Sequence, residues 1–145
     1  MAIIPKEMNI WHVTNREFTS LLLWRTSENS FRIIQDGWYA PVLTNSPYTL
    51  IDKMYAELFS QYPDQLIYWP VRIHDYSLKT ENKNYVELKI KNSISPSLIA
   101  GVDSSGKKMW AYGGYLFVSE DLKNEMIALG DTNLSFEEGF SHFCQ

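Results

Sequence analysis

Residues 85–91, of sequence YVELKIK, contain the most regular alternation of apolar and polar side chains in the chain. Val86, Leu88 and Ile90 recur at every second position, which is the period of a strand that buries one face. These three side chains should therefore face a core. Glu87 occupies the other face and should lie in solvent, where cross-strand ion pairs are ordinary.

Upstream of this strand, residues 46–58 carry the pattern of an amphipathic helix. Ser46 and Pro47 suit the N-cap and the first helical position. Four apolar side chains then recur at the spacing of one helix face: Ile51, Met54, Tyr55 and Leu58. Pro63 cannot continue a helix, so the helix should end before it. The pattern predicts a first main helix whose apolar face packs on the core.

Downstream of the strand, residues 119–130 carry a second and better capped helix pattern. Ser119 is a strong N-cap, and Glu120 and Asp121 place negative charge where the helix dipole favours it. Three apolar residues share one face: Leu122, Met126 and Leu129. Gly130 supplies the left-handed residue that often ends a helix.

Short apolar segments predict further strands around the two helices, namely residues 8–13, 21–25, 31–34, 66–69, 71–76, 115–118 and 134–136. Pro70 separates two of these segments, and Gly113 with Gly114 marks a turn. This arrangement predicts an α+β fold, with a mostly antiparallel sheet packed against two main helices. The chain has 145 residues and no Pro/Gly/Ser-rich linker, so residues 1–145 should form a single globular domain.

Negative charge is concentrated at one end of the chain. Residues 119–145 hold six acids and one base, a net charge of −5, whereas the other 118 residues hold 11 acids and 12 bases, a net charge of +1. Domains that bind nucleic acid are usually basic. We therefore expect a basic protein as the partner, and not a nucleic acid. The candidate partner-binding residues are Glu120, Asp121, Glu125, Asp131, Glu137 and Glu138.

Sequence motifs for catalysis, metal binding and membrane insertion are missing. The chain has no Gly-rich phosphate loop and no G-x-S-x-G or H-E-x-x-H motif. Its three histidines lack metal-ligand spacing and Cys144 is its only cysteine, so we expect no metal, no cofactor and no disulfide framework. No apolar run approaches the roughly 20 residues that span a bilayer, and no secretory signal is visible. We expect a cytoplasmic protein that does not bind membranes.

The C-terminal part of the chain resembles a known class of proteins. Residues 115–123 read YLFVSEDLK, and Gly130 and residues 134–136 (LSF) follow. This order resembles the C-terminal signature of immunity proteins from bacterial polymorphic toxin systems. The resemblance implies a protein without chemistry of its own, which binds one cognate toxin and neutralises it. Many such toxins have basic clefts, which an acidic patch and abundant Trp and Tyr side chains would suit.

A second resemblance, to the ADP-ribosyltransferase fold, starts from His12 on the first predicted strand. Residues 33–37, residues 43–47 and Glu87 follow it in the order of that fold. The resemblance implies NAD as the substrate, with His12 holding the nicotinamide ribose and Glu87 stabilising the transition state. A tyrosine would stack on the nicotinamide, and three are candidates: Tyr39, Tyr48 and Tyr55. A variant of the same hypothesis starts from Arg25 instead of His12.

Simpler explanations of these residues stay open. A lone histidine on a strand, such as His12, is most often a structural residue, and a run of charges is usually a solvated helix face. The chain would then be a small structural or phage-encoded adaptor. NAD binding or hydrolysis separates the transferase hypothesis from the two non-enzymatic ones.

Overall fold

Two β-sheets dominate the part of the chain that the computed structural model describes, residues 10–95, 106–130 and 133–139. The larger sheet contains β2 (Leu22–Ser27), β3 (Ser30–Gln35), β4 (Val42–Asn45), β5 (Tyr48–Asp52), β6 (Leu66–Asp75) and β7 (Thr80–Ile90). Its strand order is β2-β3-β6-β7-β5-β4, and it is antiparallel except that β3 runs parallel to β6.

The smaller sheet contains β1 (Ile10–Asn15), β8 (Met109–Tyr112), β9 (Tyr115–Ser119) and β10 (Leu134–Glu138). Its order is β10-β1-β9-β8, and every pair is antiparallel. The two helices of the described residues are short: α1 (Ala56–Phe59), which follows a 3-10 turn at Lys53–Tyr55, and α2 (Glu120–Ala128). The fold is therefore mainly β. The α+β prediction holds in its coarse form, but it overstated the helical part.

One hydrophobic core lies between the two sheets and takes side chains from both helices. Its buried members are Val13, Val42, Ile51, Tyr55, Phe59, Leu66, Val86, Leu88, Met109, Leu116, Val118, Leu122 and Met126. The shared core makes the described residues one domain, because neither sheet could bury this face without the other.

The second predicted helix is confirmed as α2. The Ser119 hydroxyl accepts a hydrogen bond from the Leu122 N–H at 3.2 Å, and Gly130 has a φ of +87° after the last turn. Leu122 and Met126 are buried, but Leu129 is exposed because it already lies beyond the helix end.

The first predicted helix is wrong for most of its length. Tyr48–Asp52 is strand β5, and Ser46 with Pro47 forms the two-residue turn that joins it to β4. Ile51 is buried as predicted, but on a strand, and Met54 is 43% exposed. The 3.6-residue spacing of a few apolar side chains was therefore overridden by pairing with strands on both sides, β4 and β7.

Pro70 does not separate two strands, because β6 runs through it. It pairs with Val86 of β7 on one side, whereas β3 pairs with β6 only from Arg72 onwards. Proline lacks an N–H and is tolerated where a strand has a free edge. Pro70 lies in the part of β6 that has no partner on the β3 side among the described residues.

The strand predicted from residues 85–91 is confirmed and belongs to β7, but its predicted wet face is dry. Val86 and Leu88 are buried and Ile90 is partly buried, as expected. Glu87 is also buried, which contradicts the prediction of a solvent-exposed side chain. The reason is a second core on that face, formed by Leu21, Leu23, Phe31, Ala40, Leu43, Tyr48, Leu50, Val71, Ile73 and Tyr85.

Candidate functional site

A cleft opens in the larger sheet where β5 and β7 stop pairing. Their last paired residues are Leu50 and Glu87. Beyond that pair the strands diverge, so that Tyr48 and Thr49 line one wall and Leu88 to Ile90 the other. The cavity between them has a volume of about 370 Å³. We call it the β5–β7 cleft.

Glu87 lies at the closed end of the cleft with only 5% of its surface exposed. Its Oε2 atom is paired with the guanidinium of Arg25. Its Oε1 atom is buried and has no hydrogen-bond partner among the described residues. A buried carboxylate is costly unless it is paired and fully hydrogen-bonded. Glu87 is therefore a buried carboxylate with one oxygen paired and the other without a partner among the described residues.

Arg25 reaches Glu87 from β2, and further contacts hold its guanidinium in place. The group lies over the ring of Phe31, 4.6 Å from the centroid, and its Nη1 donates to the carbonyl of Glu28 at 3.0 Å. The Arg25 side chain is 36% exposed, so the ion pair is open to solvent on one side. Arg25 thus links the buried carboxylate to the mouth of the cleft.

Trp69 also lines the cleft and also has a buried polar atom without a partner. It is the register partner of Glu87 across β6 and β7, so both side chains lie on the same face of the sheet. The indole Nε1 is buried and has no hydrogen-bond acceptor among the described residues. Both atoms, Glu87 Oε1 and Trp69 Nε1, are closed to solvent.

Gly114 closes the cleft from the smaller sheet and has no room for a side chain. A Cβ atom there would lie 1.6 Å from the carbonyl oxygen of Asn45. Thr49 Oγ1 donates to the Gly114 carbonyl at 2.6 Å, which fastens the β8–β9 turn to the start of β5. The predicted Gly113-Gly114 turn is confirmed, and the close packing explains why its second residue is glycine.

Tyr48 is a neutral polar group in the wall of the cleft. Its hydroxyl oxygen accepts a hydrogen bond from the Leu23 N–H at 3.2 Å. Burial raises the pKa of this phenol, so it stays protonated at neutral pH. Within the described residues, no group of three His, Cys, Asp or Glu side chains is placed to hold a metal ion.

His12 belongs to a different cavity from Glu87. It lies on β1 beside Glu137 of β10 and Phe117 of β9, with its ring 5.1 Å from the Phe117 ring. The cavity there has a volume of about 650 Å³ and is also lined by Phe18, Arg16 and Tyr115. We call it the β1–β10 groove. The structure does not bring His12 and Glu87 into one site, whereas it does bring Arg25 and Glu87 together.

The three candidate tyrosines are also separated. Tyr48 lines the β5–β7 cleft, Tyr55 is buried in the core between the sheets, and the ring of Tyr39 lies 6.2 Å from that of Tyr85. Only Tyr48 shares a cavity with Arg25 and Glu87 among the described residues.

The acidic residues at the start of α2 have partners within the fold. Glu120 accepts a hydrogen bond from the Trp11 indole at 2.9 Å and lies 3.2 Å from the ammonium of Lys123. Asp121 lies 3.0 Å from the ammonium of Lys108, and this hydrogen bond raises the pKa of Lys108. The charges of Glu120 and Asp121 are therefore largely compensated by these two lysines, unlike the charge of an acid that has no ion-pair partner.

Glu125, Glu137 and Glu138 have no ion-pair partner in the described parts of the chain. Glu137 and Glu138 lie on β10, which pairs only with β1 and so forms an edge of the smaller sheet as described. Glu137 lines the β1–β10 groove and Glu138 is exposed. Asp131 lies outside the described residues.

No sequence pattern singled out Trp69 as a residue that lines the cleft. Arg25 and Glu87 were considered, but their contact depends on how the sheet curls, which no local pattern encodes. Val86-Glu87-Leu88 is an ordinary alternation of apolar and charged residues. This pattern is the same whether the face that carries Glu87 is exposed or buried.

No family model, no curated protein and no solved structure matches this chain. None of the helices in the described residues is long and apolar enough to cross a membrane.

Proposed function

We propose that this protein binds and neutralises a cognate, basic bacterial toxin domain, and that the partner docks at β10 and the β1–β10 groove. The observation that carries the proposal is the pair of carboxylates Glu137 and Glu138, which have no ion-pair partner among the described residues and lie on β10 near exposed aromatic side chains.

The groove has the composition of a protein-binding surface. Phe18 is 87% exposed and Tyr115 is 41% exposed, and both line the groove together with Glu137. Aromatic anchors commonly supply most of the binding energy of an interface, while surrounding charges set the association rate and the choice of partner. This combination favours a protein that buries these rings. Arg16 also lines the groove, so the preference for a basic partner comes from the adjacent exposed carboxylate of Glu138.

The charge distribution also points to β10 and away from α2. Glu120 and Asp121 already have cationic partners in the fold, and they stabilise the N-terminus of α2. Glu137 and Glu138 are adjacent on a strand, so their side chains project to opposite faces of β10. A basic partner that approaches this edge would meet both carboxylates.

The resemblance to immunity proteins falls on this same region. Its residues fold as β9, the capped helix α2 and the edge strand β10, in that order. The resemblance supports a binding role, and Glu137 and Glu138, unpaired within the described residues, support the position of the interface.

The proposal is tested by identifying the partner and its activity. The chain is purified from its source cell, the bound protein is identified, and that protein's domain is expressed alone and with this chain. We expect the domain alone to stop growth and co-expression to restore it. A partner that is harmless, or whose toxicity this chain leaves unchanged, contradicts the proposal.

The contact between Arg25 and Glu87 favours one alternative function. An ADP-ribosyltransferase-like enzyme built from Arg25, Tyr48 and Glu87 would have its polar groups in one cleft. Incubation with NAD and detection of released nicotinamide tests it, and Glu87→Gln is the matched inactive variant.

A further inference from the structure

We propose that the β1–β10 groove binds a short peptide with free ends, whose terminal ammonium group lies at Glu137 and whose terminal carboxylate lies at Arg16. A free peptide can bind without the toxin partner of the proposed function, so either proposal can fail alone.

The floor of the groove is one face of the smaller sheet. His12 of β1 is the register partner of Glu137 of β10, and both residues line the groove. Ser135 also lines the groove, whereas Phe136, between Ser135 and Glu137, packs against the core between the sheets. Successive side chains of a strand point to opposite faces, so the carboxylate of Glu137 lies on the groove side. Glu137 is only partly buried, and a ligand in the groove can therefore reach it.

Two opposite charges line the groove without pairing with each other. Arg16 is exposed and follows β1, four residues along the chain from His12, or about 13 Å of extended backbone. Neither Arg16 nor Glu137 has an ion-pair partner among the described residues. A ligand with one positive and one negative end would pair with both side chains. A ligand with a single charge would pair with one of them and be repelled by the other.

The size of the ligand is inferred from the cavity. Its volume of about 650 Å³ lies within the range of small-molecule sites. Three extended residues span about 10 Å, slightly less than the backbone distance between the two charged ends of the groove. The hydroxyls of Thr14 and Ser135 line the groove between those ends and can form hydrogen bonds with peptide groups. The exposed rings of Phe18 and Tyr115 offer apolar contacts to the side chains of the peptide.

The test titrates three tripeptides into the full chain and follows the backbone amide signals of Thr14 and Ser135 in nitrogen–proton correlation spectra. The probes are trialanine, N-acetyltrialanine, which lacks the positive end, and trialanine amide, which lacks the negative end. We expect trialanine to shift both signals with millimolar affinity, at least about fivefold tighter than either capped peptide, because each cap removes one ion pair.

Two variants assign each end of the peptide to a side chain. Glu137→Gln should weaken trialanine binding at least about fivefold and make trialanine and N-acetyltrialanine bind alike, since the ammonium group has lost its partner. Arg16→Gln should do the same for trialanine and trialanine amide. Glu17→Gln, at an exposed acid beside Arg16 and outside the groove lining, is the control and should leave all three affinities unchanged.

The same spectra show whether each variant is folded. If Glu137→Gln fails to fold, Arg16→Gln, at an exposed residue, supplies the equivalent test at the other end of the groove. The proposal is overturned if trialanine shifts neither signal at about 10 mM, or if a capped peptide binds as tightly as trialanine. It is equally overturned if Glu17→Gln weakens binding as much as the two groove variants do.

Discussion

Arg25 and Glu87 form an ion pair between two strands that are not neighbours in the sheet. Arg25 belongs to β2 and Glu87 to β7, and β3 and β6 lie between them in the strand order. Their side chains meet because the sheet curls around the second core, so that its outer strands approach the face of its central strands. The ion pair can therefore form only in the curved sheet.

Removal of Arg25 should destabilise the fold. Arg25→Ala leaves the buried carboxylate of Glu87 without its cation, and we expect a loss of about 1–3 kcal/mol in the free energy of unfolding, which urea titration measures. The figure is below that for a fully buried pair, because Arg25 is partly exposed. Arg32→Ala, at an exposed arginine of β3 with no ion pair at Glu87, is the control and should change stability by under about 0.5 kcal/mol. Equal effects of the two variants would show that the ion pair is unimportant.

Truncation of Leu88 tests the core between the two sheets. Leu88 is buried among residues of both sheets and both helices, so Leu88→Ala should cost about 2–5 kcal/mol of unfolding free energy, measured in urea. Ile67→Ala, an exposed residue of the neighbouring strand, is the matched control and should cost far less. An equally small effect at Leu88 would mean that its side chain does not pack in the core between the sheets.

Alkaline pH should weaken the fold through Tyr85. Its hydroxyl is buried and donates to the Ala40 carbonyl at 2.6 Å, and burial raises its pKa above the ordinary value of 10.0. A phenol whose pKa is higher in the folded state contributes stability that is complete below pH 10 and is lost as the pH rises through the folded value. Chemical unfolding at several pH values should therefore show a decline above pH 10. Tyr85→Phe should make this decline shallower, and an unchanged pH profile would exclude Tyr85 as its cause.

Charge reversal on β10 tests the proposed interface. Glu137→Lys with Glu138→Lys should slow association with the cognate partner by about tenfold at low salt, and the difference should shrink as salt rises. Stopped-flow or surface-plasmon measurements give the rates. Glu28→Lys with Asp64→Lys, at two exposed acids outside the groove, controls for net charge. Unchanged rates and salt dependence in the β10 variant would show that Glu137 and Glu138 only keep the surface soluble. The interface would then have to lie among the exposed aromatic side chains.

The protein should be inert towards NAD. His12 and Glu87 line different cavities, and Glu87 is held in an ion pair at the end of a cleft too small for a dinucleotide. Nicotinamide release is the measurement. Slow hydrolysis that Glu87→Gln abolishes would favour a transferase site built on Arg25 and Glu87. Loss of hydrolysis in His12→Ala would instead favour a transferase site that contains His12.

Local chemistry alone determined the features that depend on neighbouring residues. Ser119 caps α2 with its own side chain, and Gly130 ends the helix, because both effects need only a few residues of backbone. The alternation in residues 85–91 likewise predicts a strand wherever it lies, since successive side chains of an extended backbone point in opposite directions.

The tertiary structure alone decided which faces are dry and which distant residues meet. Residues 48–52 became a strand because β4 and β7 pair with them, although the apolar spacing fits a helix face as well. Glu87 is buried because β2 and β3 curl over its face, which brings Arg25 to one of its oxygens. Arg25 and Glu87 are 62 positions apart, and a local sequence pattern cannot predict a contact over that separation.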